Sequence, residues 1–340
     1  MTVHIGQRPP VNRTGSSPVD VVITWVDGDD PVHRDKLNAY LQVLGQKPRA
    51  AAPTRFRSVG EIDICIRSLL KFAPFVRRIH VVTDAQVPPI FRRLDELPEA
   101  DRAKLVLVDH KDIFPAEAHC LPTFSNRSIE SVLHRVPGLA EHYVYLNDDF
   151  FLVAPVTPDD WFDQGQPVLR GFWRQQPEHT LRYRLKRRLQ KIFPVRADKV
   201  RAGFVAGQVA SARLAGFDDR FFAAHHTPTP LRKSTLEAYF RKHPERLERN
   251  IGFRLRSSEQ FSPQFLANHL ELAAGTAKLE RHYRLLYMKP NEMSRFAIRA
   301  ALMLASLPGR HPLFACIQNL ESTTEDMQSL ILAWLARRIF

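Results

Sequence analysis

VDVVITWVD, residues 19–27, is a short run of β-branched and aromatic residues that ends in an acidic residue, Asp27. The same form returns in RRIHVVTD (77–84), KLVLVDH (104–110) and HYVYLNDD (142–149). Apolar runs of this length, rich in Val, Ile and Tyr, predict buried strands. Between the first two lies SVGEIDICIRSLLKF (58–72), in which Ser58 and Glu61 have capping-box spacing and Ile62, Cys65, Ile66, Leu69 and Leu70 form an apolar stripe. Between the third and fourth lies NRSIESVLHRV (126–136), with Ile129, Val132, Leu133 and Val136 at helical spacing. Strands separated by helices imply right-handed crossovers and a mainly parallel sheet covered on both faces. The fold class expected for residues 18–170 is therefore α/β and Rossmann-like.

The polar residues fall at the strand ends: Asp27, Asp84, Asp109 with His110, and Asn147 with Asp148 and Asp149. Parallel strands place these ends on one edge, where open α/β sheets bind ligands. A single Asp after a strand is usually a turn or cap residue. The pair Asp148 and Asp149 differs, because two adjacent carboxylates entering the apolar run FFLVAP need a compensating charge, such as a cation.

At 340 residues and 44% hydrophobic, the chain has material for a sizeable core. Its three cysteines, Cys65, Cys120 and Cys316, form no CxxC pair, which argues against a disulfide framework or a zinc ribbon. The first 17 residues, rich in Pro, Gly and Ser, read as a flexible leader without the apolar core of a signal peptide, so the expected location is cytoplasmic. No run approaches the ~20 apolar residues of a membrane span.

The net charge of +13 fits nucleic acid, an anionic membrane surface or a phosphorylated substrate. Its densest run, LRYRLKRRLQKIFPVRADKVR (181–201), is patterned as a basic amphipathic helix. A solvated face, peripheral contact with an anionic membrane and contact with a polyanionic acceptor stay open for it. Nucleic acid is disfavoured, since no RNP, KH, homeodomain or zinc-finger pattern occurs. Residues 171–220 are read as a basic helical insertion, and 221–340 as a helical C-terminal part that completes the site.

Four blocks, DVVITWVDGDDP (20–31), RFRSVGEIDICIRSLLKFAPFVRRIHVVTDAQVP (55–88), LPTFSNRSIESVLHRVPGLAEHYVYLNDDFFL (121–152) and the HHTPTPLRK stretch, resemble the Stealth family of polysaccharide phosphotransferases. That family includes the eukaryotic GlcNAc-1-phosphotransferase. The resemblance extends, in the family's order, over roughly 20–31, 54–152, 220–272 and 311–327. It implies a GT-A-like variant of the α/β fold, a nucleotide-sugar donor, a polysaccharide acceptor and Mg²⁺ or Mn²⁺. By the same resemblance Trp25 and Asp27 contact donor and metal, Asp148 and Asp149 bind the metal, and Arg57 faces the diphosphate. Asn126 and Asn147 bind substrate, His226 is the catalytic base in preference to His225, and Arg256 and Glu259 complete the pocket. One departure stands in the last block, where the family reads close to CLND and this chain has Cys316, Ile317, Gln318 and Asn319. An amide there can accept a hydrogen bond or ligate a cation but adds no charge.

The reaction so implied is transfer of hexose 1-phosphate to a sugar hydroxyl, forming a phosphodiester. Two rivals stand beside it: a metal-dependent glycosyltransferase, and a non-catalytic polyanion-binding protein whose binding would be salt-sensitive.

Overall fold

A computed structural model describes residues 17–45, 48–51, 59–180, 183, 203–307, 309 and 311–340. The leader and nearly all of the basic 181–201 segment lie outside the described residues. Four strands in chain order, β1 (Val19–Thr24), β2 (Ile79–Thr83), β3 (Leu105–Asp109) and β4 (His142–Asn147), form a parallel sheet in the order β3-β2-β1-β4. Thr24 lies beside Asn147 and Thr83 beside Asp109, so the strand ends share one edge. Thr229–Arg232 closes that sheet antiparallel to β4.

Alternation along β1 explains why both faces are covered. Val21 and Ile23 join one apolar cluster, while Val22 joins the other. The first cluster takes the buried stripe Ile62, Cys65, Ile66 and Leu69 of the helix Glu61–Phe72, and the second takes Ile129, Val132 and Leu133. Leu69 is fully buried. Leu69→Ala is expected to cost about 2–5 kcal/mol through lost transfer energy and the cavity left behind, read as a lower urea midpoint at unchanged m-value.

Several details differ from the expectations. Glu61 is the first helical residue after Gly60, which has φ +90°; Ser58, and with it the expected capping box, lies outside the described residues. The 126–136 helix is broken, with α-helix at Asn126–Glu130 and a 3₁₀ turn at Leu133–Arg135. The expected boundary at residue 170 falls inside the strand Gln166–Gln175, so the 171–220 stretch opens as strand before its helix Phe204–Leu214. The C-terminal part is mixed: Leu285–Met288 and Phe314–Ile317 form a three-stranded sheet with Phe150–Leu152, here β5.

That second sheet positions the site. The chain leaves β4 at Asn147 and enters β5 at Phe150, so Asp148 and Asp149 occupy the turn between the two sheets. Cys316 pairs with Phe150, and the Ile317 amide donates to the Asp149 carbonyl at 3.0 Å, which brings the C-terminal strands against the carboxylates. Among the described residues, no helix is long and apolar enough to cross a membrane.

Candidate functional site

The strand ends open on a cavity of about 980 Å³, and the acidic ends meet different fates around it. The Asp27 carboxylate accepts from the Asp29 amide and holds the turn, outside the cavity lining. Asp84 lines the cavity but is paired with Lys36 at 2.8 Å. Asp109 caps the following helical turn by accepting from the Lys111 amide. These three do the ordinary work of Asp after a strand.

Asp148 and Asp149 differ. Burial pushes both carboxyls upward, and the charges of Glu61 and Glu321 push the same way, joined at Asp148 by that of Asp149; Asp149 reaches about 7. One oxygen of Asp149, Oδ1, is sealed from solvent with no hydrogen-bond partner among the described residues. Glu61, whose carboxylate accepts from the Val59 amide at 2.7 Å, and Glu321 also line the cavity. Neither was singled out from the sequence for this role. Four carboxylates in one lining repel one another unless a cation offsets them. Among the described residues, no three His, Cys, Asp or Glu side chains gather closely enough to hold a metal ion by themselves.

The same lining also carries positive charge. Arg256 lines the cavity, with its Nε sealed and unpartnered among the described residues. Its loop is fixed by Gln260, whose side chain accepts from Ser125 Oγ at 2.9 Å and donates to Ser128 Oγ at 2.9 Å and the Asn250 carbonyl at 2.8 Å. Glu259, the neighbouring residue, does not reach the cavity: it pairs with Arg249 at 3.0 Å on the exposed surface. Lys289 adds a second cation that the sequence did not reveal. Arg57 lies outside the described residues.

The floor is a hydrogen-bonded chain. The Tyr145 hydroxyl lies 3.0 Å from Thr24 Oγ1 and donates toward Glu130 Oε1 (3.1 Å) and Asn147 Oδ1 (2.8 Å). Burial raises Glu130 to about 7 against the opposing influence of Arg256 and Arg127. Asn126, one turn before Glu130, and buried Trp25 complete this side; the indole Nε1 of Trp25 has no partner among the described residues.

Both candidate histidines line the cavity. His226 stacks on Phe204 at 4.0 Å and 21° and on Tyr287 at 4.7 Å and 7°. Burial lowers it to about 4, with Lys289 and His225 adding to the effect. It is therefore neutral at pH 7. His110, His134 and His269 are lowered to about 4 in the same way, chiefly by burial. A group with a depressed folded pKa binds fewer protons folded than unfolded, so these four imidazoles withdraw stability as pH falls from about 6.5 toward 4. The His134→Phe variant should lose less stability than wild type between pH 7 and 5, measured by chemical denaturation at each pH.

Fold and site together define an α/β protein with a cavity at the carboxyl ends of a mainly parallel sheet, lined by both acidic and basic side chains. Residues 17–42 match the model of Stealth protein CR1, conserved region 1, and residues 55–168 that of Stealth protein CR2, conserved region 2. The chain thus carries two of the conserved regions of Stealth proteins. It is 32% identical over 333 residues to the exopolysaccharide phosphotransferase SCO6021 of Streptomyces coelicolor (strain ATCC BAA-471 / A3(2) / M145), covering 92% of this chain and 53% of that protein. It is 41% identical over 147 residues to the capsular polysaccharide phosphotransferase WcwK of Streptococcus pneumoniae, covering 43% of this chain and 42% of that one. The chain thus spans about half the length of these relatives. Among solved structures it is similar to the galactosyltransferase LgtC in complex with donor and acceptor sugar analogs, at 12% identity and a TM-score of 0.45, covering 94% of this chain and 95% of that one.

Proposed function

We propose that this chain transfers hexose 1-phosphate from a nucleotide-sugar to a hydroxyl of a polysaccharide acceptor. The observation that carries the proposal is the mixed charge of the cavity lining: Asp148 and Asp149, the latter with one oxygen sealed and unpartnered among the described residues, share it with Arg256, Lys289 and a neutral imidazole. A diphosphate with a divalent cation satisfies both signs of charge. The carboxylate pair fits Mg²⁺ or Mn²⁺, since Mg²⁺ is commonly held by one or two carboxylates with waters and substrate phosphates completing its shell. When bound, such a cation supplies charge neutralisation at the diphosphate.

The remaining work falls to the chain's own residues. Arg256, with Lys289 and Arg57, is assigned to the non-bridging phosphate oxygens. Trp25, Asn126 and Asn147 are assigned to the donor and to sugar hydroxyls, and His226 to the reacting phosphoryl group. The acceptor oxygen forms a bond to the sugar-proximal phosphorus, the bond from that phosphorus to the bridging oxygen breaks, and nucleoside monophosphate leaves. The proton of the acceptor hydroxyl is released to solvent water as the phosphodiester forms.

The nucleotide product tests this. The chain is incubated with a panel of UDP-, GDP- and CDP-sugars, a short polysaccharide acceptor and Mg²⁺, and the nucleotides are separated. UMP, GMP or CMP, with phosphorus in the polymer, is expected. UDP, GDP or CDP with a phosphate-free linkage would assign the cavity to glycosyl transfer.

A further inference from the structure

The bonds around His226 decide which of its ring nitrogens addresses the cavity. Two near-parallel aromatic rings within 5 Å of it, Phe204 and Tyr287, leave the imidazole little freedom to turn. The Gln318 amide nitrogen lies 3.3 Å from the imidazole Nδ1. The Gln318 oxygen in turn accepts from the Tyr287 hydroxyl at 2.9 Å. Burial pushes that phenol above its ordinary value, so the hydroxyl keeps its proton at neutral pH.

An amide whose oxygen is engaged by an O–H turns its NH₂ toward the ring. NH₂ can only donate, so Nδ1 accepts. A neutral imidazole with an unprotonated Nδ1 carries its single proton on the other nitrogen. We propose that His226 serves the transfer as a hydrogen-bond donor through its ring Nε2, held in that tautomer by Gln318 and Tyr287, and not as a base. This rests on the transferase reading of the cavity. The proton stays on Nε2 throughout; the bond it donates goes to a non-bridging phosphoryl oxygen, where a preorganised donor is worth far more than in water. Gln318 and Tyr287 are positioning residues. The amide is essential to the arrangement, because a carboxylate at 318 would accept from Nδ1–H and move the lone pair to Nε2.

The tautomer is read on the protein alone, by ¹⁵N NMR of histidine-labelled chain at pH 7.5, with His226→Gln identifying the signal. An unprotonated Nδ1 and a protonated Nε2 are expected in wild type, and the reverse in the near-isosteric Gln318→Glu. In kinetics with whichever donor of the panel is turned over, His226→Gln, which keeps an N–H donor but cannot take a proton at this pH, should stay within about tenfold of wild-type kcat. His226→Ala should fall by ~10²-fold or more, the usual loss for one such donor, and Gln318→Glu should fall with it. A proton on Nδ1 in wild type, a His226→Gln variant as inactive as His226→Ala, or an undiminished Gln318→Glu would overturn the proposal. Failure of every donor would overturn the transferase reading instead, with the nitrogen assignment still decided by the spectrum.

Discussion

Asp149→Asn should abolish turnover, by about 10³-fold or more, while making the metal-free protein more stable. The two effects have one cause. Burial and the charge of Glu61 hold the Asp149 carboxyl near 7 in the fold against an ordinary value near 3.9, so at neutral pH its ionised form is destabilised. At ~1.4 kcal/mol per pKa unit, a neutral amide of the same shape removes a penalty on the order of 2–4 kcal/mol, and Tm should rise by several degrees. The sign reverses the usual carboxylate case. A raised folded pKa means that the folded state binds more protons, so the wild type gains stability from this group as pH falls from about 7 toward 4. The gap between variant and wild type should therefore narrow as pH falls below 7 and close only by about pH 4. Mg²⁺, by occupying the same carboxylates, should raise Tm of the wild type and leave Asp149→Asn nearly unmoved. A variant less stable than wild type at pH 8 without metal would show that the carboxylate holds the turn and not a cation.

The parallel sheet was legible because buried strands write themselves as short apolar runs, and the four runs ending in Asp27, Asp84, Asp109 and Asp149 bracket the observed strands. Strand-end acids alone do not separate a turn from a site. Asp27 and Asp109 bond to amides two residues away and Asp84 bonds to Lys36, local or single-partner contacts that leave no trace in an acidic letter. The Asp148 and Asp149 pair stood out because apolar residues follow it. The place of Glu61 in the cavity lining was not legible, since an acid at the start of a helix looks the same whether it faces solvent or a cavity. Tyr287, Lys289 and Glu321 reach the cavity only because Leu285–Met288 pairs with Phe314–Ile317, which in turn pairs with β5, far away in sequence. In RSSEQF no period distinguishes Glu259, which faces solvent, from Gln260, which is buried.

The second large effect belongs to Arg256. Its guanidinium lines the cavity without an ion-pair partner of its own among the described residues, and its nearest acidic neighbour by influence, Glu130, is already raised to about 7. A half-buried cation with a sealed Nε gains when an anion arrives, which is the condition a diphosphate donor would satisfy. Arg256→Ala should lower kcat/KM by ~10²–10³-fold. Arg256→Lys should recover part of that loss, because a point charge neutralises phosphate but does not reproduce the planar fork. The same substitution also acts on the floor of the site. Arg256 is the first influence holding Glu130 down, so its removal should move the Glu130 carboxyl further up and leave it protonated at neutral pH. Infrared spectroscopy of the carboxyl C=O stretch, with Glu130→Gln to identify the band, reads this without substrate. The protonated-carboxyl band should persist to higher pH in Arg256→Ala than in wild type; an unchanged band together with unchanged kcat/KM would remove Arg256 from both the site's electrostatics and its chemistry.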